Sequence, residues 1–301
     1  MHKKQAAVPV VTVWSDPDAV RPVDAPAVGD RADLASWISG MTREENIALC
    51  DEKRVQTQVL FGDELFVDSV HGHWAKIVVP AQASAKDTRG YPGWVPIGQL
   101  ADGTPRSSES REKVMVQSKQ ATFFNGQKDQ IFDLSFATFL PLVDEGEEEI
   151  KADSPVGEGF VRRKDVIFPN RHPSGNGKDV VRNAERFLGL TYLWGGMSAY
   201  GYDCSGFSYS MLRAAGYTIP RDAADQSRNG KAIAPKEMMP GDLLFFAYEE
   251  GKGAVHHVGI CAGGGEMIHS PTPGKKISLT VIRGTIFEKE LCAVRRYWKE
   301  G

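Results

Sequence analysis

Tyr202-Asp203-Cys204-Ser205-Gly206-Phe207 is the stretch around which this chain is organised. A glycine-rich approach precedes it, Tyr192-Leu193-Trp194-Gly195-Gly196 and then Gly201. After it, Phe207, Met211, Leu212 and Ala215 recur at helical spacing up to Gly216, a residue suited to ending a helix. The spacing therefore predicts a loop-to-helix transition with Cys204 in or just before the first turn. Unpaired backbone N–H groups and the positive end of the helix dipole favour a thiolate over a thiol there. That is a place to build a nucleophile.

A nucleophilic thiol needs a base. Val255-His256-His257-Val258-Gly259-Ile260-Cys261 reads as a strand, Gly263-Gly264-Gly265 as a turn, and Glu266-Met267-Ile268-His269 as the start of a return strand. A short hairpin centred on those glycines sets His257 and His269 roughly opposite one another, and cross-strand partners lie ~5 Å apart. One imidazole then takes the Cys204 proton while the other orients it. His256 and His257 cannot both face the thiol, because adjacent strand residues point to opposite sides of a sheet.

Asp203-Cys204-Ser205-Gly206-Phe207, Pro240-Gly241-Asp242-Leu243, His257-Val258-Gly259-Ile260 and Met267-Ile268-His269-Ser270 occur in one order. Together they resemble the signature blocks of the NlpC-type papain-like cysteine peptidases, which cleave bacterial cell-wall peptides. The resemblance implies an α+β papain-like C-terminal domain with Cys204 as nucleophile, His257 as base and His269 as the orienting third member. It also implies that Tyr192 faces the active site near the oxyanion, beside the backbone N–H of Cys204. Asp203 and Ser205 are expected to contact groups around the scissile bond. Arg221-Asp222-Ala223-Ala224-Asp225-Gln226 resembles the family's substrate-binding loop; Asp222 keeps the expected acid, whereas Ala223 stands where relatives often carry Ser.

Upstream, turn signals recur every eight to twelve residues, which suggests small β-barrels. Strands are predicted at Val10-Val11-Thr12-Val13-Trp14, Val55 to Phe61, Leu65-Phe66-Val67, Trp74 to Val79 and Gly90 to Pro96, with helix-like spacing over residues 33–51. The layout resembles a bacterial SH3-like domain, and residues 112–170 partly repeat it. The acidic run Asp144 to Glu149 reads as a solvated hairpin loop rather than a metal site. Residues 168–175 form a linker by composition, after which Val180, Ala184, Phe187 and Leu188 line one face of a helix ending at Gly189. The expected organisation is an all-β SH3-like barrel with a helical insertion at residues 8–105, a second at 112–170, and the peptidase domain at 176–301.

Bulk composition agrees with a globular protein of two or three domains: 41% hydrophobic and 25% charged residues. A net charge of −3 gives no general attraction to nucleic acid or anionic membrane. Nothing approaches the ~20 apolar residues of a membrane helix. Cys50, Cys204, Cys261 and Cys292 are too scattered for a disulfide framework, and the three besides Cys204 are read as small buried apolar residues. No metal and no cofactor is called for. His2, Lys3 and Lys4 precede a short apolar patch, but Pro9 interrupts it and no small-x-small site precedes Ser15. A cytoplasmic protein is expected, or a cell-wall one if this is a mature form.

The function so implied is a cysteine endopeptidase hydrolysing the γ-D-glutamyl–L-diamino acid bond of murein peptides, as in cell-wall peptide recycling. In similar three-domain enzymes the first SH3-like domain lends a tyrosine to the cleft to recognise the free amine of an N-terminal L-Ala; here that would be Tyr91. An acid is also expected for that amine; Gln56 is near the expected region but is not an acid, and Glu52 is the other candidate. A cell-wall-binding protein with an inactive peptidase domain, or an amidase or acyltransferase on the same core, are the alternatives.

Overall fold

A computed structural model of the chain describes residues 2–103 and 112–300. The expected ends of the first domain at 105 and of the last at 301 lie outside the described residues. Two compact units result. One holds both N-terminal sheets, and the other holds the C-terminal domain together with residues 82–88.

The first sheet comprises β1 (His2–Ala6), β2 (Val10–Trp14), β3 (Val55–Leu60), β4 (Glu64–His71), β5 (Trp74–Val79), β6 (Tyr91–Pro96) and β7 (Leu100–Asp102), in the order β3-β2-β6-β5-β4-β1-β7. The alternating apolar segments fall where the sequence predicts them, and β1 and β7 are additional. His2-Lys3-Lys4 looks too polar for a strand. It is held as one by antiparallel pairing on both sides and by ion pairs of Lys3 to Glu64 and Lys4 to Asp102, each 2.7 Å. The helical insertion is real and includes α1 (Ala25–Val28), α2 (Leu34–Gly40) and α3 (Arg43–Asp51). Thr42 and Glu45 cap α3 reciprocally, at 3.1 and 2.8 Å, satisfying two otherwise orphaned N–H groups. Trp37 of α2 is buried against Trp14 and donates its indole N–H to Asp24 at 2.8 Å, so the insertion covers the barrel.

The second sheet repeats the order: β8 (Lys113–Val116), β9 (Gln120–Phe124), β10 (Gln130–Ser135), β11 (Phe139–Glu145), β12 (Glu149–Ala152), β13 (Gly159–Arg162) and β14 (Val166–Ile167), arranged β10-β9-β13-β12-β11-β8-β14. Gly146 N–H closes the β11–β12 turn onto Glu149 O at 3.0 Å, so the acidic run is a hairpin loop as read. Phe61, from the chain of the first barrel, is buried in this second core against Phe123 and Phe132.

The C-terminal domain begins with α4 (Gly177–Glu185), capped by Asn176 and Asp179. Val180, Ala184 and Phe187 are buried as expected, whereas Leu188 is 43% exposed. The helix stops at Glu185, and the chain turns before Leu188 can share its face. Two short strands, β15 (Met197–Ser198) and β16 (Gly201–Tyr202), lead into α5 (Cys204–Ala214). Then follow α6 (Ala223–Arg228), β17 (Lys231–Ala232), β18 (Leu243–Ala247), α7 (Tyr248–Gly251), β19 (Val255–Gly263), β20 (Glu266–His269), β21 (Ser278–Val281), α8 (Ile286–Glu290) and β22 (Leu291–Arg296). The sheet runs β17-β22-β18-β19-β20-β21 and is antiparallel throughout. Helices first and an antiparallel sheet after is the expected α+β arrangement.

The cysteine reading needs one correction. Cys261 is buried, but Cys292 is exposed and Cys50 only half-buried. Cys292 lies on β22 where the pairing with β18 skips it, Phe245 facing Ala293 and Phe246 facing Leu291, so the regular alternation of faces breaks there.

Candidate active site

Cys204 is the first residue of α5, one step after its N-cap. Asp203 occupies that cap, and its Oδ1 accepts from the Gly206 N–H at 2.6 Å. Gly206 has to be glycine: a Cβ there would sit 2.1 Å from the Gly196 carbonyl oxygen. The glycine-rich approach and the helix therefore meet backbone to backbone, which fixes where the thiol points. Backbone N–H groups of Ser205 and Val258 lie near the Cys204 sulfur and favour its charged form. Val258 directly follows His257, so the nucleophile lies against the histidine strand.

The two imidazoles are partners. His257 Nε2 lies 2.7 Å from His269 Nδ1, with the rings nearly perpendicular. They are not directly opposite one another, however. The β19–β20 register pairs Ile260 with Ile268, so continuing it puts Gly259 across from His269. His257 is the diagonal neighbour, two residues along on the same face, and diagonal pairs are within reach of rings. A bulge between Cys261 and Gly263 shifts the turn from the symmetric form expected. Gly259 leaves room for the diagonal approach, because a Cβ there would meet Met267 Sδ at 2.6 Å and His269 Cβ at 3.3 Å.

The bonding pattern assigns the protons. His269 Nε2 is 3.0 Å from Thr280 Oγ1, and Thr280 Oγ1 is 3.3 Å from Ser278 Oγ. If His257 Nδ1 is to take a proton, its Nε2 must carry one and donate it to His269 Nδ1. His269 then carries its proton on Nε2 and donates it to the Thr280 hydroxyl. His256 is turned elsewhere. Its ring stacks on Tyr248 at 4.1 Å, and its Nε2 pairs with Glu290 at 3.1 Å.

Electrostatics correct the expectation of a resting thiolate. Burial, followed by the nearby Asp203 charge, pushes the Cys204 thiol up to about 12, against the opposing help of Arg221 and the two N–H groups. Burial pushes His257 well below the usual histidine range, with His269 and His256 adding to the effect, and burial takes His269 down to about 4. Desolvation outweighs the helix terminus because that terminus is worth only ~0.3–1 kcal/mol. Both directions favour a neutral thiol beside neutral imidazoles.

Around the thiol, Asp203 and Ser205 are tied down. Arg221 donates from Nη1 to Asp203 Oδ1 (3.1 Å) and to Ser205 Oγ (2.8 Å), and from Nη2 to Asp203 Oδ2 (2.7 Å). Arg221 also anchors residues 82–88: its N–H donates to Ala83 O at 3.0 Å, Ala85 N–H donates to Asp225 Oδ2 at 3.0 Å, and Lys86 Nζ stands 3.7 Å from Asp222. Asp222 is the N-cap residue of α6 and Ala223 is its first residue. Tyr192 is buried and bridges to Tyr202, next to the nucleophile turn. Tyr91 opens β6 in the other unit and is buried, Gln56 lies on β3, and Glu52 ends α3 in an ion pair with Arg54. Among the described residues no group of three or more His, Cys, Asp or Glu is placed to hold a metal ion.

Comparison with known proteins agrees with this geometry. Residues 189–296 match the NlpC/P60 family, and residues 116–168 match the YKFC SH3b2 domain. Over the whole length of both chains, the protein is 46% identical to a gamma-D-glutamyl-L-lysine dipeptidyl-peptidase of Bacillus subtilis. The chain belongs to the NlpC/P60 family. A Bacillus cereus protein of the same name is 35% identical over 96% of this chain and 89% of its own. The crystal structure of an NlpC/P60 family protein from Bacillus cereus superposes with a TM-score of 0.93 at 34% identity, covering 99% of this chain and 100% of that one. The protein is thus a cysteine peptidase with two SH3-like sheet domains ahead of its NlpC/P60 domain.

The structure brings His257 and His269 together as expected, with supports that the sequence does not announce. Arg221 was visible beside Asp222, yet its bidentate grip on Asp203 had no signal in the sequence. Thr280 lies on a third strand, and its place behind His269 depends on the β20–β21 register, which pairs His269 with Ser278.

Proposed function

We propose that the protein hydrolyses the amide bond between γ-D-glutamate and an L-diamino acid in murein peptides, with Cys204, His257 and His269 as its catalytic group. The observation that carries this reading is the His257–His269–Thr280 series, borne on the strand whose next residue, Val258, lies against the Cys204 sulfur. Substrate closes the site to water, and His257 Nδ1 takes the Cys204 proton as sulfur attacks the γ-carbonyl carbon. His269 and Thr280 hold the imidazolium that forms. The oxyanion develops beside the start of α5, where first-turn N–H groups lack intrahelical acceptors, with the Cys204 N–H and Tyr192 as the proposed donors. His257 returns the proton to the departing amine, leaving a thioester. Water, deprotonated by His257, then releases the γ-D-glutamyl carboxylate and restores the thiol.

Two relatives, matched over 100% and 96% of this chain, bear the name gamma-D-glutamyl-L-lysine dipeptidyl-peptidase, which supports both the bond and release of an N-terminal dipeptide. On this reading substrates begin with a free L-Ala, and Asp203, Ser205, Asp222 and Ala223 belong to the recognition surface. The test is mass spectrometry of the products from L-Ala-γ-D-Glu-L-Lys, its diaminopimelate counterpart and N-acylated versions of both. Release of L-Ala-D-Glu from the free peptides only is expected, and Cys204→Ala should abolish it. Equal rates with acylated peptides would remove the free-amine requirement, and cleavage of another bond would remove the substrate assignment.

A further inference from the structure

The helix α8 approaches the two imidazoles from outside every sequence block that carries the chemistry. Phe287 stands edge-on to His269, with ring centroids 5.2 Å apart at 89°, and lies 5.6 Å from His257 at 32°. It also packs on Phe246 at 4.9 Å, whose own ring is 5.8 Å from His257. One turn on, Glu290 reaches His256, the strand neighbour of His257. Five residues are too few for a helix to hold itself together. Ile286, Glu288 and Lys289 are exposed, while Phe287 and Glu290 are partly buried. The helix is therefore seated by the two side chains that meet the histidines.

We infer that Phe287 is a positioning residue for the reaction: its ring holds the His257–His269 pair in place and keeps water from it, and the Glu290–His256 pair seats that ring. An apolar ring against an imidazole disfavours the charged form, which is the direction in which burial moves both histidines. The groups facing the pair are the Cys204 thiol from α5, with the Asp203–Arg221 ion pair beyond it, Thr280 from β21, and His256 with Glu290.

This inference rests on the catalytic reading above but not on the substrate. The first measurement is accordingly the rate of Cys204 alkylation by iodoacetamide against pH, followed by mass spectrometry of the peptide that contains Cys204. The second is kcat and KM on L-Ala-γ-D-Glu-L-Lys. In Phe287→Ala the acid limb of the alkylation profile should rise by about one pH unit as water reaches the imidazoles. On the peptide, kcat should fall about tenfold with KM within about twofold, since the loss lies in the reacting group rather than in binding. Phe287→Leu should restore most of both, and Glu290→Gln should move the limb the same way by less. An acid limb that coincides in wild type and Phe287→Ala overturns the inference, even if activity falls. If Phe287→Ala does not fold, Glu290→Gln against wild type is judged in the same way. Absence of peptide turnover in the wild type, with a normal alkylation profile, counts against the substrate alone.

Discussion

Arg221, only 1% exposed, grips Asp203 through two parallel hydrogen bonds and Ser205 through a third, so both neighbours of Cys204 are held by one guanidinium. Asp203 at the same time caps the helix that carries Cys204. Removing one member of such a buried pair leaves the other charge unpaired and costs ~3–5 kcal/mol. Arg221→Ala should therefore unfold at markedly lower denaturant, read by chemical denaturation, and should slow Cys204 alkylation. Arg221→Lys should recover little, because an ammonium cannot reproduce the planar fork.

Gly259 across from His269 is the second point of control. Gly259→Ala forces Met267 and His269 to give way. Met267 has a flexible end that can move, but His269 is met at its Cβ. A stability loss of ~1–3 kcal/mol is expected from overpacking, with kcat falling further than stability alone accounts for. Thermal melts alongside kcat on the tripeptide check this.

Thr280 is the acceptor that fixes the His269 tautomer. Thr280→Val keeps the shape and strands a buried N–H, at a cost of ~1–3 kcal/mol. The expected result is lower kcat with KM little changed, while Thr280→Ser stays close to wild type. Equal kcat in the valine variant would show that the tautomer is set by something else.

Stability should depend on pH at both ends. His257 and His269 have folded values below the ordinary 6.5, so at acid pH the unfolded chain binds more protons. Their contribution is complete above about 6.5 and is lost as pH falls toward the folded values, about 4 for His269. For His269 alone this amounts to about 3 kcal/mol. Cys204 is raised from 9.0 to about 12, so stability declines again as pH rises above 9. Denaturation midpoints should be highest between these limits, and His269→Gln should flatten the acid side.

The elements of the candidate site were legible in the sequence because they are local. A thiol at a helix start depends on a glycine-rich approach and a few residues at helical spacing, and the hairpin depends on a glycine turn between two apolar strands. The order of those blocks was enough to expect an α+β domain behind two small barrels. What depends on long-range register was not legible: the strand His2–Ala6 takes its identity from partners on both sides, and the diagonal His257–His269 contact from a bulge at Cys261 and Gly263.

By itself, then, the sequence determined that a thiol sits at a helix start and that two imidazoles sit on one hairpin, since local backbone geometry follows from neighbouring residue types. Only the tertiary structure decided the protonation state in which they wait. Helix position argues for a thiolate, yet burial among distant elements raises the thiol and lowers the imidazoles. Solvation is a property of everything packed around a group, and the pattern of neighbours along the chain does not carry it.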